Sequence, residues 1–314
     1  MTRTIWLASY PKSGNTWFRM LVANLSAKDG KPVDINDLPE RGGIASARGP
    51  FDYLSLIDSS LLTHDEIDCL RPQLYQELAR GEDDDEYDAT QERPAVRFVK
   101  VHDAYTLTPR GEPLLGSGRG ADGAIVIVRD PRDVVPSLAN HNRTSIDDAI
   151  VSINDKNAAV CSHPGRMHQQ LRQKLPGWSG HVASWLDQTD IPVYLIRYED
   201  LQTDTVATFR QALAFAGRPA NEEDIRRAVG YADFGELKRQ ERDKGFREKP
   251  RRSDGAFFRR GQAGAWRDEL TAEQAARIEA EHAPMMQRLG YELASAVALA
   301  HGIGRRAETH HVGT

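Results

Sequence analysis

The sequence predicts an α/β fold, a central and mostly parallel β-sheet flanked by α-helices. Three observations carry that prediction. Short runs rich in β-branched residues recur along the chain, continuous enough in apolar character to be strands buried on both faces. Amphipathic stretches lie between and after them. Strands that alternate with helices form doubly wound parallel sheets.

The elements follow in chain order. A strand over Thr4–Ser9 runs into Tyr10-Pro11-Lys12-Ser13-Gly14-Asn15-Thr16-Trp17. The apolar run breaks at Pro11, a Lys-Ser-Gly turn follows, and a helix begins over Thr16–Ala27. Residues 30–60, rich in Gly, Pro and Asp, read as an irregular excursion. The acidic run Glu82–Glu86 lacks spaced metal ligands and reads as a solvated loop. Further strands are expected over Val96–Val101, Ala124–Val128 and Val193–Arg197. Helices are expected over Val134–Asn142, Gly180–Gln188, Thr205–Gly217 and Glu222–Val229. The stretch Arg239–Gln262 holds nine Lys/Arg against four acids. Within it Arg239–Phe257, with few apolar anchors, is expected to stay mobile until a ligand fixes it. A last helix over Thr271–Leu289 is opened by Thr271 as N-cap, with Gln274 three residues on. The tail after Ala300 is expected to fray.

The chain has 314 residues, 39% of them hydrophobic and 28% charged, as in soluble globular proteins. We expect one domain over residues 1–314, with 301–314 as a flexible tail. A net charge of −5 gives no global attraction to nucleic acid or to an anionic membrane. Cys69 and Cys161 form no framework and read as free thiols in a reducing compartment. The first strand starts within a few residues of Met1, and no run of about 18 apolar residues occurs. A cytoplasmic protein is the expectation, with neither nucleic acid nor membrane as partner.

The loop after the first strand carries the chemistry. It offers backbone N–H groups at a helix start, the Lys12 cation and the hydroxyls of Ser13 and Thr16, a set that suits an anion. A triphosphate loop reads GxxxxGK[ST], whereas here Lys12 precedes Gly14 and the loop is shorter. One tetrahedral anion fits better than a metal-bound triphosphate, and no metal is expected. Ligands of parallel sheets bind at the carboxyl ends of the strands. Lys12, His102 and Arg129 each sit at or just past such an end, so they should converge.

The string Tyr10–Trp17 closely resembles the 5′-phosphosulfate motif of the sulfotransferases that use PAPS, 3′-phosphoadenosine 5′-phosphosulfate. That resemblance implies a P-loop-like fold, with Lys12, Ser13, Gly14, Asn15, Thr16 and Trp17 at the donor. It extends along the chain. Ile127-Val128-Arg129-Asp130-Pro131 through Ser137 is similar to the family's 3′-phosphate segment, which implies that role for Arg129 and Ser137. Phe258-Arg259-Arg260-Gly261 through Trp266 is similar to its C-terminal basic stretch, which adds Arg259, Arg260 and the Gly261 amide. Lys100-Val101-His102 resembles the family's Lys-x-His. It implies His102 as catalytic base and gives Lys100 an assisting part beside Lys12. Asp103 stands where the family has Pro, and a carboxylate there is expected to raise the pKa of His102. Tyr198 and Phe234 match aromatics near the adenine, with Trp17 on the opposite ring face.

The function so implied is sulfuryl transfer from PAPS to a hydroxyl of a small-molecule acceptor, a phenol or alcohol, leaving PAP. A nucleotide-dependent kinase is the alternative from another reaction class. A non-catalytic nucleotide-binding protein is a third. Relatives dimerise through Lys-x-x-x-Thr-Val-x-x-x-Glu. The aligned stretch, Arg267 to Ala276, keeps Thr271 but has Ala272 and Ala276 at the Val and Glu positions, so dimerisation through it is not expected.

Overall fold

A computed structural model describes residues 2–27, 30–38, 43–80, 96–163, 167–249 and 255–294. The acidic run 82–86 and the tail beyond 300 lie outside these residues. Four strands form one sheet: β1 (Arg3–Ser9), β2 (Val96–Val101), β3 (Gly123–Val128) and β4 (Val193–Arg197). Their order is β2-β1-β3-β4 and every pairing is parallel. All four lie within a residue of their expected positions.

The period of two along β1 divides the interior. Ile5 and Leu7 point into one apolar cluster, Trp6 and Ala8 into the other. Ile125 and Ile127 of β3 join the first, Ala124 and Val126 the second. Helices α1 (Asn15–Leu25), α8 (Thr205–Ala216) and α9 (Glu222–Tyr231) cover the first face with Phe18, Leu21, Phe209, Leu213 and Ile225. The other face is covered by α4 (Pro131–Asn142), α5 (Ile146–Asn154), α6 (Gly177–Leu186) and α11 (Ala272–Arg288), through Leu138, Ile150, Trp178, Trp185 and Ile278. Fully burying one such side chain is worth about 1.5–3 kcal/mol.

Strand order places the site. The chain leaves central β1 toward β2 on one side and β3 on the other. The crevice at such a switch point, outside the carboxyl ends, is where open parallel sheets bind ligands.

Several expectations are corrected. The excursion over 30–60 contains α2 (Arg48–Ser55), and α3 (His64–Arg80) follows it. The basic stretch begins within a helix, α10 (Phe234–Lys244), in which Arg239 pairs with Glu236 and Asp243 one turn either way, and its residues 250–254 lie outside those described. Beyond it Phe246 and Phe258 are buried, and both carboxylate oxygens of Glu241 accept from the Phe257 and Phe258 amides. A short helix, α7, also starts at Tyr198 (Tyr198–Thr203).

Candidate active site

The anion loop is built by local geometry. Gly14 has φ 104°, a left-handed conformation that favours glycine, and it caps α1. A Cβ there would stand 2.6 Å from the Tyr198 ring. Lys12, at φ 71°, accepts a conformation costly for a side chain, as occurs where a site demands it. The first turn of α1 has no side-chain cap and no acid among the described residues. Its leading N–H groups therefore point, unpaired within the helix, into the cleft. The Asn15 amide donates to the Leu7 carbonyl at 2.8 Å and fastens the helix start to β1.

A cavity of about 1040 Å³ opens above the sheet. Lys12, Gly14, Asn15, Thr16, Trp17, Lys100, His102, Arg129, Ser137, Tyr198, Phe234, Arg259, Arg260 and Gly261 all line it. Sequence-distant residues thus meet as expected. Ser13 does not reach the wall: it is fully buried, and its Oγ has no hydrogen-bond partner among the described residues.

The cations crowd one another. Burial, then repulsion from Lys100 and Arg129, holds Lys12 down to about 7. Its Nζ lies 3.8 Å from the centre of the Phe257 ring. Burial also lowers Lys100, against the attraction of Glu248. Arg129 lies over the Tyr198 ring at 4.4 Å and donates to the Gln262 carbonyl at 3.0 Å. Its Nε is buried without a partner among the described residues.

His102 directly follows β2, and its Nδ1 lies 2.8 Å from the Ser9 carbonyl oxygen. A carbonyl only accepts, so Nδ1 carries the proton and Nε2 keeps its lone pair. Burial, then the charge of Lys100, lowers its pKa to about 3. The expected rise from Asp103 is therefore corrected. Asp103 turns away and accepts two hydrogen bonds from buried Arg71, at 3.2 and 2.6 Å.

The aromatic residues hold the site together. The Tyr198 hydroxyl donates to the Gly261 carbonyl at 2.9 Å, beside a second bond from Gln202. The ring meets Trp17 edge-on at 5.6 Å. Trp17 donates to the Ala232 carbonyl at 3.0 Å, and Phe234 starts α10 two residues later. Asp133 of α4 accepts from the Gly264 and Trp266 amides and seats the C-terminal loop. Arg259 pairs with Glu269, and Arg260 with Asp268 and Glu269.

Sequence reasoning missed Arg19 and Glu248. Arg19 follows Asn15 by one helical turn and so shares its face, a signal available from periodicity. Glu248 is 229 residues from Arg19, its partner at 2.5 Å, and no local pattern announces it.

Comparison with known proteins agrees with this geometry. The sulfotransferase domain family matches residues 2–290. "Cytosolic sulfotransferase 17" of Arabidopsis thaliana is 24% identical over 285 residues, 87% of this chain and 71% of its own. The luciferin sulfotransferase of Photinus pyralis is 24% identical over 278 residues, 86% of this chain and 68% of its own. Among solved structures, a mouse sulfotransferase complexed with PAP superposes with a TM-score of 0.54 at 18% identity, covering 90% of this chain and 84% of that one. Retinol dehydratase in a complex with retinol and PAP gives a TM-score of 0.53 at 20% identity, covering 92% and 82%. The chain belongs to the sulfotransferase domain family and is a PAPS-dependent sulfotransferase.

Proposed function

We propose that this protein transfers the sulfuryl group of PAPS to a hydroxyl of a small-molecule acceptor, a phenol or alcohol, with His102 as general base. The observation that carries the reading is the convergence of a fixed neutral imidazole and an uncapped helix N-terminus on one cavity. The residues fit the donor. Lys12, Thr16 and the first N–H groups of α1 would hold its 5′ end. Arg129, Ser137, Arg259, Arg260 and the Gly261 amide would hold its 3′-phosphate, and the orphaned Arg129 Nε supports that reading. Trp17 and Phe234 would enclose the adenine, each stacked face contributing about 1–3 kcal/mol.

When bound, PAPS supplies the sulfuryl group. His102 Nε2 takes the acceptor proton, a task that needs the neutral imidazole this burial maintains. Lys12 offsets charge developing at the leaving phosphate, and Lys100 assists. The apolar rings of Phe246 and Phe257 limit water, which would compete as acceptor.

Radiolabelled PAPS incubated with extract of the source cell, followed by mass spectrometry of labelled products, tests the reading and identifies the acceptor. One labelled sulfate ester, formed equally in EDTA, is expected. PAP formation with no transfer to any hydroxyl would end it.

Two further points belong to this reading. We place the protein in the cytoplasm on its likeness to proteins named cytosolic sulfotransferases; among the described residues no helix is long and apolar enough to cross a membrane. Cell fractionation tests that: activity recovered in the membrane pellet would overturn it. We also hold that residues 267–276 form no dimer contact. Thr271 is committed within the chain as N-cap of α11, in a capping box with Gln274. Light scattering should give the same mass for the wild type and Ala272→Asp, and a dimer lost in the variant would overturn the claim.

A further inference from the structure

Lys100, Arg19, Arg259 and Arg260 of the cavity are each paired with an acid, and one pairing stands where the reaction must occur. Glu248 lies in the turn after α10. Its carboxylate takes Arg19 Nη1 at 2.5 Å and Lys100 Nζ at 3.2 Å, with Thr16 Oγ1 at 3.5 Å. The turn is anchored: the Arg247 amide donates to Asn36, and Asn36 donates to the Gly245 carbonyl. Arg19 and Lys100 keep 15% of their side-chain exposure and Glu248 keeps 30%, so the cluster borders the cavity.

The position follows from the chemistry, given the donor reading above, on which this inference rests. The base must reach the acceptor hydroxyl, and that oxygen must reach sulfur. Sulfur therefore lies between His102 and the Lys12 loop. Lys100 and His102 are two residues apart at the end of one strand and share a face. Thr16 and Arg19 are three apart on α1 and share another. These two faces meet at the Glu248 carboxylate. A carboxylate and a sulfonate are both anionic oxygen acceptors, and they compete for the same donors. PAP carries no sulfonate and does not enter that competition.

We propose that Glu248 is an exchangeable counter-ion that sets the relative affinity of this site for PAPS and PAP. In the free protein, and with PAP bound, its carboxylate satisfies Lys100 and Thr16. With PAPS bound, sulfonate oxygens take those donors, and Glu248 keeps Arg19 alone. The residue thereby weakens donor binding relative to product binding, and it leaves Lys100 paired once sulfate has departed.

The test is Glu248→Gln, with affinities measured at one fixed salt concentration and without acceptor. Equilibrium dialysis with radiolabelled PAPS and calorimetry with PAP serve as readouts. We expect PAPS to bind about tenfold tighter than to wild type while PAP changes less than about twofold. Equal shifts for both ligands would overturn the proposal, as would a selective loss of PAPS affinity, which would make Glu248 a support for Lys100. If the Gln variant does not fold, Glu248→Asp replaces it. The shorter acid reaches Lys100 less well and should move the ratio the same way by a smaller factor; an unchanged ratio would overturn the proposal. Failure of the donor reading looks different: the wild type would then bind neither nucleotide.

Discussion

The two halves of the active site are made by different means. The N-terminal half, Tyr10 to Trp17, is local. Twelve residues after the start of β1 the chain has turned, left Lys12 and Gly14 in left-handed conformations and begun α1. Its helix start offers backbone N–H groups, which no rotamer change can remove. The C-terminal half, residues 245–249 and 255–262, is assembled from afar. There Arg259 and Arg260 are held by Glu269 and Asp268, and Glu248 is supplied to Lys100 across 148 residues of sequence. One half is shaped by its own backbone turn. The other is held by pairs of charges that a ligand of the same charge can exchange. A site that must bind a polyanion and then release it gains from having both.

Mutations that separate the halves break or sharpen this contrast. The largest effect belongs to the strand-end chemistry. His102→Ala should lower kcat by about 10²-fold or more and leave PAP affinity within about twofold. Turnover near wild type would remove His102 from the mechanism. Next is the phosphate half. Arg129→Ala should weaken PAPS by about tenfold or more, yet hardly affect adenosine 5′-phosphosulfate, which lacks the 3′-phosphate. Equal losses would place Arg129 elsewhere.

A smaller effect reads the electrostatics directly. Lys12 is held to about 7 in the free protein, so it is mostly neutral at pH 8. An arriving phosphate favours its charged form and raises that pKa. PAP binding should therefore take up close to one proton at pH 8 and fewer at pH 6, where PAP's own phosphates also give up protons, and affinity should fall as pH rises through 7 to 9. His102, held to about 3, stays neutral throughout and adds nothing to this uptake. Calorimetry in buffers of different ionisation enthalpy measures the proton count. No uptake at pH 8 would mean that Lys12 is already charged in the free site.

The same contrast explains what the sequence revealed. The anion loop and the four strands were legible because each is a contiguous pattern, and Lys12, His102 and Arg129 converge because the strands are parallel. The helix α11 was legible from Thr271 and Gln274, whose side chains and amides do cap each other. The same signal at Ser145 and Asp148 opens α5 and was passed over. The helix α10 was not legible in its charged run, because its ion pairs join neighbouring turns, which a charge count does not register. Glu248 was out of reach altogether, since nothing near it in the chain says that its partners are Arg19 and Lys100.

The place of Tyr198 bears finally on how the protein folds. Its ring fills the space beside Gly14, carries Arg129 on its face and fixes Gly261 through its hydroxyl. Arg129 in turn reaches the carbonyls of Lys12 and Gln262, 117 and 133 residues away along the chain. Closing loops of that length comes at an entropic disadvantage that only a nearly complete sheet repays. The nucleotide pocket should therefore be among the last parts to form on refolding, after the α8–α9 pair has settled, and recovery of PAP binding should lag behind recovery of helical signal.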